Sequence, residues 1–201
     1  MIMFPIFRYN IFKSLYYSYK WKGSIRIGKN VRISNNGIIK LPSDATIRIQ
    51  NGCQIEIRKN GILEFKGQAY LGEKTRFLVG EGGMMTIGDD FSCTGRSDFD
   101  AVKSIVIGKQ CRFSVNLQIM DTDHHKILDK DDRIINNPQN IIIGSKVWVG
   151  CSSTILKGSK IPDNVIIGAN SLVTNKNIME SNYIYAGCPI KKIKYFKYWI
   201  S

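Results

Sequence analysis

Histidine is nearly absent from this chain, which has only two among its 201 residues, His124 and His125. A zinc centre that needs three histidine ligands is therefore excluded. Acidic residues are also few, since the chain has 16 Asp and Glu but 29 Lys and Arg, which gives a net charge of +13. Such an excess of positive charge favours a polyanionic partner, either a soluble one or an anionic surface. No nucleic-acid recognition motif accompanies the charge, so nucleic acid is not the expected partner.

Long apolar segments are missing as well, so no transmembrane span is expected. Residues 1–22 lack the pattern of a signal peptide, because Arg8 and Lys13 interrupt the apolar stretch and no small-residue cleavage site follows. The five cysteines are scattered without a C-x-x-C pair, and three of them stand where the repeat described below takes a small or apolar residue. These three are Cys53, Cys93 and Cys111. Reduced, buried thiols in the cytoplasm are predicted.

The C-terminal half contains an unbroken repeat of six residues. Aliphatic side chains recur at that spacing, and a small or β-branched residue follows each of the first five by four positions. The aliphatic series is Ile143, Val149, Ile155, Ile161, Ile167 and Val173, and the second series is Val147, Ser153, Ser159, Val165 and Ser171. A period of six belongs neither to an ordinary strand nor to a helix. It predicts short strands joined by turns, three to a triangular coil, and stacked coils that bury a column of aliphatic residues together.

The repeat continues in weaker form toward the N-terminus. Ile107, Phe113 and Ile119 keep the six-residue spacing, and a strand-like alternation between residues 38 and 80 is interpreted as degenerate coils of the same stack. No helical period is present within the repeat region. We therefore predict an all-β domain over residues 23–190, built as a triangular prism of stacked coils.

Both ends of the chain are basic and aromatic. The apolar residues of segment 1–22 fall close to a helical stripe. This segment is expected either to cap the open end of the stack or to form an interfacial helix that contacts a membrane. Residues 191–201 are expected to form a basic and aromatic C-terminal tail, for which the same two alternatives hold.

The repeat is interrupted once, and an excursion loop is predicted over residues 126–140. If the repeat continued through this segment, positions 131 and 137 would hold inward aliphatic residues, but they are Asp131 and Asn137. Both histidines adjoin this loop, and loops that leave a rigid scaffold often carry function. From the residues alone, metal binding and general-base chemistry both stay open. A neutral imidazole whose tautomer is held by a carboxylate suits removal of a proton from a sugar hydroxyl.

Over residues 105–194 the chain resembles the left-handed parallel β-helix, or hexapeptide-repeat, acyltransferases, and among them the bacterial sugar and polysaccharide O-acetyltransferases. The motifs that carry the resemblance are IMDTDHH (119–125), IGSKVWVG (143–150), IGANSLVT (167–174) and YAGCPIK (185–191). The N-terminal third matches only in its general repeat character. The resemblance implies left-handed crossovers, against the usual right-handed rule for parallel strands.

The resemblance also implies a mechanism and a set of site residues. Acetyl-CoA would be the cosubstrate, and a sugar hydroxyl would attack it directly in a site between the subunits of a homotrimer. The base is expected to be His125, with His124 as the alternative and with Asp123 or Asp121 to orient the imidazole. Acceptor binding is implied for Asn116, Asp121 and Trp148, although Trp148 could instead pack at the trimer seam. Cosubstrate binding is implied for Cys151, Ala169, Thr174, Asn175, Lys191 and Lys194.

The expected function is thus acetylation of a sugar hydroxyl in a surface polysaccharide or its precursor. The expected location is the cytoplasm, including the inner face of the cell membrane. The first alternative is N-acetylation of a nucleotide-linked amino sugar. The second is a noncatalytic β-helix scaffold or a metal-binding protein, although no metal is expected.

Overall fold

The computed structural model of the chain describes residues 10–21, 23–27 and 30–200. These residues form one α-helix, α1 (Ile11–Trp21), and 22 strands in three sheets. Sheet 1 contains β1 (Ser24–Ile27), β4 (Thr46–Ile49), β7 (Ala69–Glu73), β10 (Phe91–Gly95), β13 (Arg112–Val115), β16 (Trp148–Val149), β19 (Ile166–Ile167), β21 (Tyr183–Ala186) and β22 (Lys191–Tyr195). Sheet 2 contains β2 (Arg32–Asn35), β5 (Gln54–Ile57), β8 (Arg76–Val79), β11 (Asp98–Ala101), β14 (Gln118–Met120), β17 (Thr154–Leu156) and β20 (Leu172–Val173). Sheet 3 contains β3 (Ile38–Lys40), β6 (Ile62–Phe65), β9 (Met84–Ile87), β12 (Ser104–Ile107), β15 (Ile141–Ile143) and β18 (Lys160–Ile161).

Successive strands lie on successive faces of a triangular prism. Through most of the chain each strand pairs in parallel with the strand three places later, so that one coil stacks on the next. This topology confirms the fold predicted from the sequence, a left-handed parallel β-helix. The residues between 38 and 80 belong to the same stack, as predicted.

The coils become shorter along the prism, which explains why the six-residue repeat is weak in the N-terminal half. In the first coils Ile25 pairs with Ile47, whereas the later pair of Val149 with Ile167 spans a shorter stretch of chain. The early coils have four-residue strands, whose side chains alternate and therefore place two residues inward per strand. The late coils have strands of two or three residues and place one aliphatic residue inward.

The core is the column of inward side chains along the prism axis. Every member of both six-residue series is buried. The buried serine hydroxyls donate hydrogen bonds to backbone carbonyls, for example Ser171 to Gly168 at 2.7 Å, because a buried polar group without a partner would be costly. The three predicted buried thiols are confirmed. Burial raises the pKa of Cys53 to about 11 and that of Cys111 to about 12, so both stay protonated and unreactive.

Helix α1 covers the open edge of sheet 1. The hydroxyls of Ser14 and Ser18, one helical turn apart, accept the backbone N–H groups of Ile27 and Ile25 at 2.9 and 2.8 Å. These bonds occupy donors that an edge strand would otherwise leave open. The other side of the helix exposes Phe12, Leu15, Tyr16 and Tyr19. Residues 1–9 and 22 of the predicted N-terminal segment lie outside the described residues, and its membrane contact stays a prediction.

The C-terminal end is closed by a hairpin rather than continuing as a tail from residue 191. Strand β22 pairs antiparallel with β21 and extends sheet 1. The Lys192 ammonium lies 2.8 Å from a Glu180 carboxylate oxygen and 3.6 Å from the centre of the Tyr183 ring. Among the described residues, no helix combines the length and apolar character needed to cross a membrane.

Candidate active site

The chain leaves the prism between β14 and β15, and Asp121 anchors the start of this excursion. Its side chain is fully buried. The carboxylate accepts the backbone N–H groups of Val102, Lys103 and Ser104 at 2.6–2.8 Å. Burial raises the pKa of Asp121, an effect that the three N–H donors partly oppose. Asp121 therefore holds two coils together, and the prediction that it contacts the acceptor or the base is not supported by its position.

His124 is held against a buried carboxylate. Its Nε2 lies 2.9 Å from Oδ2 of Asp100, whose side chain is only 3% exposed. Its backbone adopts a left-handed conformation with φ of 60°, and its N–H donates to the hydroxyl of Thr122 at 3.0 Å. The imidazole itself is 47% exposed. His124 thus combines an oriented ring with access for a substrate.

Asp100 is the partner that sequence analysis missed. It points outward from β11, on the outer face of sheet 2, and its Oδ1 is buried without a hydrogen-bond partner in the described part of the chain. Arg76 Nη2 lies 3.7 Å from its other oxygen. Asp100 precedes His124 by slightly more than one coil, and only the stacking of coils brings the two together. The polar–apolar alternation of β11 (DFDA) showed a strand but carried no sign of this partner.

His125 has a different environment. It is exposed, and its ring has no hydrogen-bond partner among the described residues. Only its backbone is fixed, with the N–H donating to the Asp123 carbonyl at 2.7 Å and the carbonyl accepting from Asn136 at 2.7 Å. The structure therefore orients the ring of His124 and not that of His125, the histidine preferred as the base from the sequence.

Asp123 stabilises the excursion loop rather than either imidazole. Its carboxylate forms an ion pair with Lys157 of the next coil and accepts a hydrogen bond from Asn136 at 2.9 Å. These two contacts lower the pKa of Asp123. Lys157 also donates to the Asn136 carbonyl at 2.9 Å, so one lysine joins both arms of the loop. The carboxylate that contacts a histidine ring is therefore that of Asp100 and not the predicted Asp123.

Two predicted acceptor-binding residues lie apart from His124 within one protomer. Asn116 is exposed at the corner between sheets 1 and 2, with φ of 58°. Trp148 points outward from sheet 1, is 44% exposed, and packs on Trp199 with ring centres 6.1 Å apart. His124 follows sheet 2 at its other corner. A single chain does not bring these three side chains together.

Four of the six predicted cosubstrate residues fall at the two borders of the last coils of sheet 2. Cys151 and Ala169 lie at one corner in successive coils, where the Asn170 N–H donates to the Cys151 carbonyl at 2.9 Å. Thr174 and Asn175 lie at the next corner, and Asn175 Nδ2 is 3.4 Å from the side-chain oxygen of Gln139 at the end of the excursion. Lys191 and Lys194 are exposed on β22.

The corner that holds Cys151 and Ala169 carries only small side chains, so the backbone is the main surface exposed there. A Cβ added to Gly150 would lie 2.6 Å from the Ala169 nitrogen, so the coils approach closely there. Such a corner suits an extended thioester arm that lies along backbone groups, and the exposed lysines of β22 suit phosphates. The residues therefore fit coenzyme A. Among the described residues, no group of three or more His, Cys, Asp or Glu side chains is arranged to hold a metal ion.

The known proteins whose sequences are similar to this chain include acetyltransferases. No family model matches it. A putative lipopolysaccharide biosynthesis O-acetyl transferase, WbbJ, of Escherichia coli is 26% identical over 125 residues, which cover 58% of this chain and 63% of that protein. The galactoside O-acetyltransferase of the same organism is 32% identical over 112 residues, which cover 55% and 47%. The chain thus matches less than two thirds of the length of these relatives.

The fold comparison agrees with these matches. The crystal structure of NeuO, a polySia-specific acetyltransferase, matches with a TM-score of 0.62 over 86% of this chain and 89% of that one. Its sequence identity of 23% makes this a likeness of fold alone. Together with the named relatives, it confirms the resemblance to hexapeptide-repeat acyltransferases drawn from the sequence.

Proposed function

We propose that this protein transfers an acetyl group from acetyl-CoA to a hydroxyl of a sugar in a surface polysaccharide or its precursor. One observation carries the proposal: an exposed imidazole, His124, is held by the buried carboxylate of Asp100 on a parallel β-helix whose relatives are acetyltransferases. Its place would be the cytoplasm or the inner face of the cell membrane.

The His124–Asp100 contact determines which imidazole nitrogen can act as the base. We assign the ring proton to Nε2, from which it would be donated to the Asp100 carboxylate. Nδ1 is then left as the acceptor and can take the proton of a sugar hydroxyl. Asp100 stabilises the positive charge that forms on the ring, and its burial strengthens this effect.

Acetyl-CoA supplies a thioester carbonyl that the sugar oxygen attacks. The proton held on His124 Nδ1 returns to the departing thiolate, so the imidazole ends neutral and no covalent protein intermediate is needed. Cys151 and Cys188 are not required as nucleophiles. His124 thus acts first as base and then as acid, while Asp100 keeps the same ring orientation throughout.

The deciding experiment is binding and transfer with purified protein. Calorimetry should show binding of acetyl-CoA that weakens with salt, because cosubstrate phosphates would meet the lysines of β22. The double variant Lys191→Gln/Lys194→Gln should bind acetyl-CoA more weakly, whereas Lys40→Gln/Lys59→Gln, which removes the same charge from early coils, should not. Absence of binding at millimolar acetyl-CoA and coenzyme A would exclude this function.

The choice of acceptor atom is tested in the same assay. Hydroxyl sugars and a nucleotide-linked amino sugar are offered as alternative acceptors with acetyl-CoA. Because an amine needs less help from a base than a hydroxyl, activity on the amino sugar that survives His124→Ala would favour N-acetylation instead.

We further propose that the active form is a homotrimer. The separation of Asn116 and Trp148 from His124 supports it, since a second copy of the chain could place its side chains opposite the imidazole. Light scattering should give about three times the chain mass of 22.8 kDa. A clean monomer at micromolar concentration that still transfers acetyl groups would contradict a shared site.

A further inference from the structure

A basic pocket lies on the outer face of sheet 2, in the coils that precede Asp100. It has a volume of about 430 Å³, and its polar lining consists of three cationic groups, two side-chain amides and one carboxylate. These belong to Arg32, Lys74 and Arg76, to Asn30 and Gln54, and to Asp98. None of the site residues predicted from the sequence lies in the pocket.

The register of sheet 2 connects this pocket to the candidate base. Arg32, Gln54, Arg76 and Asp98 are successive partners across β2, β5, β8 and β11. Arg76 Nε bonds Asp98 at 2.8 Å, and its Nη2 lies 3.7 Å from the Asp100 oxygen that holds His124. Neighbouring strands are about 4.8 Å apart, so β2 lies about 14 Å from β11. The pocket and the imidazole thus lie along one face, within the span of a short chain of sugars.

The charge of the pocket is balanced only in part by the protein. Within the described residues, Arg32 and Lys74 form no ion pair, and Arg76 is shared between Asp98 and Asp100. Two other cations of the early coils are paired locally, in the ion pairs Arg58–Glu56 and Lys66–Glu64. Unpaired cations that converge on a concave surface attract an anion and gain from charge-assisted hydrogen bonds to it.

We infer that the acceptor is an acidic glycan whose negative group binds in this pocket while one of its hydroxyls reaches His124. The inference rests on the proposed function and adds to it the substrate class. The shared chemistry is an anionic oxygen group, either a sugar carboxylate or a phosphate ester. Arg32 offers a planar fork that suits either group, and Lys74 offers a point charge beside it.

The test compares acidic and neutral probes of equal length. Oligosaccharides of galacturonic acid, a phosphorylated maltose oligosaccharide and the unmodified maltose oligosaccharide are titrated against wild-type protein in the presence of coenzyme A. We expect an acidic probe to bind at least about tenfold more tightly than the neutral one. Preference for the galacturonic acid probe identifies a carboxylate site, and preference for the phosphorylated probe identifies a phosphate site. Equal binding of all three, or no binding of either acidic probe, overturns the inference.

The double variant Arg32→Gln/Lys74→Gln tests the location. It should weaken binding of the preferred acidic probe by about tenfold to a hundredfold and leave the neutral probe unchanged. The matched control is Arg26→Gln/Arg48→Gln, which removes two cations from the outer row of sheet 1, where they are direct partners, and should leave acidic binding intact. Circular dichroism verifies that both variants fold.

Coenzyme A binding separates failure of this inference from failure of the proposed function. If Arg32→Gln/Lys74→Gln weakens coenzyme A instead of the acidic glycan, the pocket serves the cosubstrate and the inference is wrong. The same holds if the variant loses only binding to anionic phospholipid vesicles. If wild-type protein binds acidic glycan at this pocket but never binds acetyl-CoA, the proposed function fails while the anion site stands.

Discussion

Replacing His124 by alanine should lower kcat for acetyl transfer by about 10²–10⁴-fold, the usual size of a general-base contribution. The reason is that, in the proposed mechanism, the ring held by Asp100 removes the acceptor proton. Affinity for acetyl-CoA should stay close to that of wild-type protein, because the imidazole acts on the acceptor. The measurement is the initial rate of coenzyme A release with saturating acetyl-CoA and sugar.

The neighbouring histidine provides the matched control. His125→Ala removes the same type of side chain, but the His125 ring has no hydrogen-bond partner in the described structure. The His125→Ala variant should therefore have activity close to that of wild-type protein. Asp100→Asn should retain the fold and lower kcat by less than His124→Ala, since it perturbs the ring without removing it. An inactive His125→Ala beside an active His124→Ala would show that the preference drawn from the sequence is right and that the Asp100 contact is only structural.

Replacing Phe99 by alanine should destabilise the folded protein by about 3–5 kcal/mol. Phe99 is fully buried in β11. Its ring meets Phe77 edge-on at 4.6 Å between ring centres, and it lies 5.9 Å from Phe113 and 6.1 Å from Phe91. These aromatics fill the middle of the prism, and truncation would leave a cavity that rigid neighbouring coils cannot close.

Denaturant unfolding at one fixed protein concentration measures this effect, because self-association would otherwise change the apparent stability. Phe12→Ala is the control, since Phe12 is 87% exposed on α1 and its loss should change the midpoint little. If Phe99→Ala lowered the free energy of unfolding by less than about 1 kcal/mol, the neighbouring coils would have closed the cavity left by the ring. This result would contradict close packing of the column.

Much of the prism could be predicted from the sequence because its cause is local and periodic. The inward positions from Ile143 to Val173 repeat every six residues, and each is buried. A side chain at such a position has the same neighbours in every coil, so spacing alone identifies the core. The early coils were harder to delimit, since their longer strands and turns do not keep that period.

The place of the candidate site also followed from the sequence, since both histidines adjoin the one interruption of the repeat. Which histidine is oriented did not follow. Adjacent residues in an irregular loop have side-chain directions that depend on the local backbone, here the left-handed conformation of His124. The sequence order of Asp121 and Asp123 suggested orienting carboxylates, yet the first binds backbone N–H groups and the second binds Lys157.

The sequence by itself therefore determined the fold, the buried column and the segment in which the candidate site lies. Only the tertiary structure decided that Asp100 holds His124, that Arg32, Lys74 and Arg76 line one pocket, and that β22 closes sheet 1. The physical reason is that each of these contacts joins residues from different coils or from beyond the repeat. Their proximity comes from stacking and from coil lengths that vary, which no periodic pattern along the chain records.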